Sequence, residues 1–212
     1  MFGSPHPSPL KRALLIGSAL VVVAGVAAAV IRDRLAAPIN ISGGEALQIV
    51  LANTPIYLQT APRWKEVRLG GSNEAFSATG CVVCCVSMAL AHHGIIIPPD
   101  ELNARLALKS GFTERGWLRW RAVEELTGNA ITIDTPYPSH QEIDDALKAG
   151  NPVIVRVMIG AAIPHWVLVV GKQGTEYLMN DPLGEGIIAE PLRRFRSQIS
   201  AVRVIRRSNT GG

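Results

Sequence analysis

A thiol, an imidazole and a carboxylate follow one another along this chain: Cys81 at the head of GCVVCCVSMALAHHG (Gly80 to Gly94), His165 in PHWVLVVG and Asp181 in YLMNDPLG. Those three types, if brought together, make a nucleophile, the base that deprotonates it and the group that orients the base. Cys81 and Cys84 also have the CxxC spacing of a dithiol redox pair, so thiol exchange is a second chemistry open to the same run. Neither reading holds unless the fold delivers the side chains, so the elements that carry them decide.

Cys81, Cys84, Cys85, Met88 and His92 recur at the spacing of one helical face, and Val82, Val83, Val86, Ala89 and Leu90 cover the rest with apolar groups. A helix apolar all round is a buried one. Thr79-Gly80 marks its start and Gly94 its end, which puts Cys81 at a helix N-terminus, where unpaired amides and the helix dipole favour a thiolate. Cys84 and Cys85 are expected as core packing.

Three further helices are expected: one capped by Asp100 and carrying Leu102, Leu106 and Leu108, one from Gly116 to Leu126 with Trp117, Trp120 and Val123 turned to the core, and one from Ser139 to Lys148 with a capping box in Ser139 and Glu142. From Asn151 the period changes to short β-branched runs at Val153 to Ile159, His165 to Val170, Glu176 to Met179, Gly186 to Glu190 and Ala201 to Ile205. Helices first and about five antiparallel strands after define an α+β domain. With a hairpin turn at Lys172 to Thr175, His165 and Asp181 stand at equal distance from residue 173, which places an imidazole opposite a carboxylate. A slip of one residue would offer Asn180 instead.

Upstream, Glu45 to Leu51 is expected as a short helix and Pro55 to Gln59 as an extended segment. Residues 1–12 form a tail, 32–44 a linker, 45–207 the main domain and 208–212 a polar tail. Ala13 to Ile31 carries no charge and is flanked by Lys11-Arg12 and Arg32-Asp33-Arg34; as a helix it would span roughly 28 Å, enough to cross a bilayer. It reads as a single-pass transmembrane anchor with the domain outside the cytoplasm, a cleaved signal peptide being the rival.

The 212 residues, 48% hydrophobic and 18% charged, exclude a disordered chain. The net charge of +4 is spread, and the arginines of the C-terminal region (Arg193, Arg194, Arg196, Arg203, Arg206, Arg207) have no aromatic-interleaved motif. They are read as a solvated face or a mild attraction to anionic membrane or wall polymer, and no nucleic-acid partner is expected. Three cysteines cannot all pair within the chain, and the histidines form no credible ligand set, so neither a metal site nor a cofactor is expected.

The run GCVVCCVSMALAHHG resembles the nucleophile helix of papain-like cysteine peptidases related to the bacteriocin-processing, double-glycine leader peptidases. His165-Trp166-Val167 with Val169-Val170-Gly171, and Tyr177 with Asn180-Asp181-Pro182, are similar to that family's His strand and its Asn-Asp-Pro segment. Gln59, Pro62-Arg63-Trp64 and Leu69-Gly70 are similar to landmarks before the cysteine in extracytoplasmic members, so the resemblance covers about Tyr57 to Leu183. It implies Cys81 as nucleophile, His165 as base then acid, Asp181 as orienter, and the Gln59 amide with the Cys81 backbone amide as oxyanion donors. The implied reaction is amide hydrolysis on a protein or peptidoglycan peptide. Val82-Val83 and Cys84-Cys85 depart from the family's usual small residues after the nucleophile. A non-catalytic binding module on the same fold is the remaining alternative.

Overall fold

The computed structural model describes residues 37–160 and 162–208. The expected anchor over Ala13 to Ile31 lies outside them. Among the described residues no helix is long and apolar enough to cross a membrane.

The helix with no polar face is buried as its composition requires: every residue from Cys81 to Leu90 in α2 (Cys81–His92) is inaccessible or nearly so. A short α1 (Phe76–Thr79) precedes it, and Gly80 joins the two. A Cβ on Gly80 would lie 2.6 Å from the Phe76 carbonyl oxygen, so only glycine permits this junction. At the other end Gly94, at φ +81°, stops the helix. Around α2 pack α3 (Pro99–Leu108) and α4 (Trp120–Leu126), while α5 (His140–Lys148) joins a separate apolar cluster.

The strands are β1 (Ile39–Asn40), β2 (Ser42–Val50), β3 (Ile131–Asp134), β4 (Val153–Ile159), β5 (Ile163–Asn180), β6 (Glu190–Pro191), β7 (Gln198–Ile199) and β8 (Ala201–Arg207). One antiparallel sheet has the order β2-β5-β4-β8-β3, with β6 added to β5; β1 and β7 form a separate pair. One sheet face meets α2 through Ile154, Leu168, Val170 and Ile205. The other meets α5 through Val153, Val155, Val167 and Val169. Adjacent strand residues point to opposite faces, which is why neighbours such as Ile154 and Val155 belong to different cores. The α+β class is as expected.

Several elements differ from expectation. Glu45 to Leu51, expected as a helix, lies almost wholly in β2, because pairing of Leu47 to Val50 with Gly174 to Gly171 outweighs a weak local helical preference. The expected linker is shorter, since β1 begins at Ile39. Asp100 lies in the first turn of α3 and caps nothing; Ser139 stands at the N-cap of α5 without a side-chain bond. The second helix starts at Trp120, after a turn at Gly116 (φ +75°), which leaves Trp117 exposed rather than in the core. Of Gly186 to Glu190 only Glu190 is in a strand, and β3 was not anticipated.

The expected turn at Lys172 to Thr175 is not a free loop, because Lys172, Gln173 and Gly174 are themselves paired with β2. Nevertheless β5 doubles back. Sixteen straight strand steps would separate His165 from Asp181 by about 50 Å, yet their side chains touch at 2.6 Å. Gly174, at φ +60°, supplies the backbone conformation a reversal needs.

Candidate active site

His165 and Asp181 arrive from the two ends of this doubled strand and are both buried. His165 Nε2–H donates to Asp181 Oδ1 at 2.6 Å. With that proton held on Nε2, the neutral ring keeps its lone pair on Nδ1. Cys81, at the first position of α2, lies close enough to the same imidazole to help raise its pKa. Three residues separated by up to a hundred positions thus meet at a helix N-terminus and a strand reversal.

Burial opposes a charged imidazole here, but the bond to Asp181 and then the nearness of Cys81 outweigh it, raising His165 from 6.5 to about 9. Burial likewise opposes the Asp181 carboxylate, and the His165 bond, the Leu183 amide and the Arg194 charge together hold its pKa below the usual range. Both Asp181 oxygens are occupied: Oδ1 also accepts the Leu183 N–H at 2.8 Å, and Oδ2 accepts from Arg194 Nη2. The ring of Phe195 lies against His165 with centroids 5.7 Å apart.

Gln59 is almost fully buried. Its backbone N–H donates to the Pro182 carbonyl at 2.9 Å, next to Asp181, and its side-chain Nε2 donates to the Ser77 carbonyl at 2.8 Å, one turn before Cys81. One amide N–H is committed to that carbonyl and the second is left over; Oε1 has no partner among the described residues. Asn180, the competing orienter, points elsewhere: its amide donates to Pro55 O and accepts from Ala189 N, bracing the loop that follows Asp181.

Cys84 and Cys85 are fully inaccessible. Burial pushes both thiols up, and the nearby Cys81 charge adds to it. A thiol that stays protonated and out of reach cannot resolve a mixed disulfide, so the CxxC spacing has no exchange chemistry behind it. Cys85 instead donates to the Trp166 carbonyl at 3.3 Å and ties α2 to β5.

Arg194, expected on a solvated basic face, instead has its guanidinium committed to two carboxylates. It bridges Asp181 and Glu190, the latter at 2.7 Å. Its partner Asp181 is thirteen residues away and meets it only because β5, β6 and the turn Leu192–Phe195 fold together. No local spacing signals such a pair.

A profile of the Peptidase_C39 like family matches residues 52–198 of the chain. The chain is also similar to a solved structure assigned as a C39-like peptidase from Bacillus anthracis, at 16% identity over 77% of this chain and 100% of that one, with a TM-score of 0.48. No curated protein matches it.

Proposed function

Because the chain belongs to the Peptidase_C39-like family, we propose that it is a cysteine peptidase in which Cys81, His165 and Asp181 form the catalytic triad. The observation that carries this reading is the buried His165–Asp181 hydrogen bond with Cys81 acting on the same ring. Asp181 fixes the tautomer, so Nδ1 takes the thiol proton and the thiolate attacks the carbonyl carbon of the scissile amide. The imidazolium returns that proton to the leaving amine as the C–N bond breaks. Water, deprotonated by the same nitrogen, then hydrolyses the thioester and releases the thiol.

The oxyanion would be held by the Cys81 backbone N–H, at a helix start where amides lack intrahelical partners, and by the second N–H of Gln59. Support for Gln59 is its anchoring to Ser77 O, one turn before the nucleophile. The substrate class is a protein or a peptidoglycan stem peptide, and Ala13 to Ile31 would tether the enzyme to a membrane with this domain outside the cytoplasm.

Hydrolysis of an unstructured protein substrate such as casein tests the assignment. Cys81→Ala should abolish cleavage, while Cys84→Ala should keep most of it. Equal loss in both variants would return the CxxC pair to consideration, and undiminished cleavage by Cys81→Ala would end the triad assignment.

A further inference from the structure

Beside α2 lies a half-buried basic and aromatic group that the triad chemistry does not use. Arg156 and Trp166 are ladder partners between β4 and β5, and Arg203 lies opposite Ile154 between β4 and β8. Strand alternation therefore puts Trp166, Arg156 and Arg203 on the face that α2 covers. Trp120, the first residue of α4, closes the group, its ring edge-on to Trp166 with centroids 5.7 Å apart. The Arg203 guanidinium stands 5.2 Å from the Trp120 ring and 5.7 Å from the Trp166 ring, and Arg156 is 5.9 Å from Trp166.

Two neighbouring guanidiniums repel each other, and no carboxylate among the described residues pairs with either. Arg203 donates to Val202 O and Arg156 to Ser200 Oγ, while Arg203 Nε is buried without a partner among the described residues. Burial lowers the Arg203 pKa and the Arg156 charge lowers it further. Other buried charges in the molecule are matched, as Lys172 is by Asp144 and Asp181 by Arg194. An unmatched pair beside two indole faces is the arrangement that receives a planar anion, since the guanidinium fork fits a carboxylate and the rings wall it in.

We propose that Arg156 and Arg203, between Trp120 and Trp166, form a subsite for a carboxylate of the peptide substrate, and that the enzyme prefers peptides carrying one. The inference rests on the peptidase reading for the identity of its ligand. Trp166 follows His165 in β5 and so faces the opposite side of the strand, while its backbone carbonyl is bonded to Cys85, one turn along α2 from Cys81.

The test uses the Cys81→Ala chain and three probes: N-acetyl-trialanine as the free acid, the same peptide as the amide, and N-acetyl-Ala-Glu-Ala amide. Binding is followed by NMR through the indole N–H signals of Trp120 and Trp166. The free acid, the glutamyl peptide or both should bind roughly tenfold more tightly than the neutral amide and shift both indoles; which of the two does so identifies a terminal or a side-chain carboxylate. Arg203→Met and Arg156→Gln, each with its fold checked by the spread of amide signals, should remove the preference. Equal binding of all three probes, or a preference unchanged in both variants, overturns the subsite. Carboxylate preference in the Cys81→Ala chain, together with no hydrolysis of any of the three peptides or of casein by the parent chain, would leave the subsite standing and overturn the peptidase reading.

Discussion

His165 is the residue on which the site's charge balance turns. Its proton is stabilised in the fold, with the pKa raised from 6.5 to about 9. A group raised on folding contributes stability fully below its unfolded value, and the contribution is lost as pH rises through the folded one. Here that window runs from 6.5 to about 9. Asp181 works in the opposite sense: its depressed pKa gives stability present above the ordinary carboxylate value and lost as pH falls through the folded value. Arg194 is one cause of that depression, so Arg194→Gln should move the acid limb of the kcat/KM profile to higher pH and lower kcat, with KM little changed. An acid limb that stays in place, measured on the same substrate, would reduce Arg194 to a surface contact. Cys81, His165 and Asp181 were legible in the sequence because their order and the helix start around Cys81 are local features. Arg194 was not, because its role exists only where a strand reversal brings residue 181 to residue 194.

The element that matters most is α2, and it could be read from sequence because nothing competes with its pattern: ten successive residues without an exposed side are buried in any fold that accommodates them. What the pattern does not reveal is why the chain turns at Gly80. The answer is the approach of the Phe76 carbonyl, 2.6 Å from where a Cβ would sit. Gly80→Ala should destabilise the domain by about 1–3 kcal/mol through overpacking. Its effect on kcat should be larger, about 10²-fold, because a shift of about 1 Å at Cys81 moves the sulfur off the imidazole. Urea unfolding beside steady-state rates separates the two, and a fully active variant would show that the junction tolerates the methyl group. The reading of Glu45 to Leu51 failed for the complementary reason: Glu, Ala and Leu favour a helix in isolation, and only the partner strand β5 makes that segment extended.

Across the whole molecule, the α5-side core is stitched together by a second buried network. Lys172 Nζ donates to Asp144 Oδ1 at 2.6 Å, Tyr177 OH donates to the same oxygen at 3.1 Å, and the Glu45 N–H reaches Oδ2 at 2.8 Å. Asp144 on α5 thereby holds both β5 and the start of β2. A Cβ on Gly44 would overlap Asp144 Oδ2, so the glycine is what lets β2 pass this close. Removing one partner of a buried pair leaves the other charge uncompensated, so Asp144→Ala should cost about 3–5 kcal/mol in denaturant unfolding. A loss below about 1 kcal/mol would mean that water replaces the carboxylate. The fold class is legible in the helical run that precedes β4 to β8, although β1 and β2 come before any helix, but this network is not. Its members, from residue 45 to residue 177, share no spacing that pattern reading could detect.

The central claim is that His165, oriented by Asp181, makes Cys81 the reactive thiol among three. The most direct measurement is the rate of iodoacetamide alkylation across pH, with labelled cysteines mapped by mass spectrometry, in the parent chain and in His165→Ala. The triad predicts labelling confined to Cys81 and fast near neutral pH, slowed roughly tenfold or more in the variant, with Cys84 and Cys85 unlabelled in the folded chain. Equal rates in the two chains, or labelling of Cys84 ahead of Cys81, would contradict it.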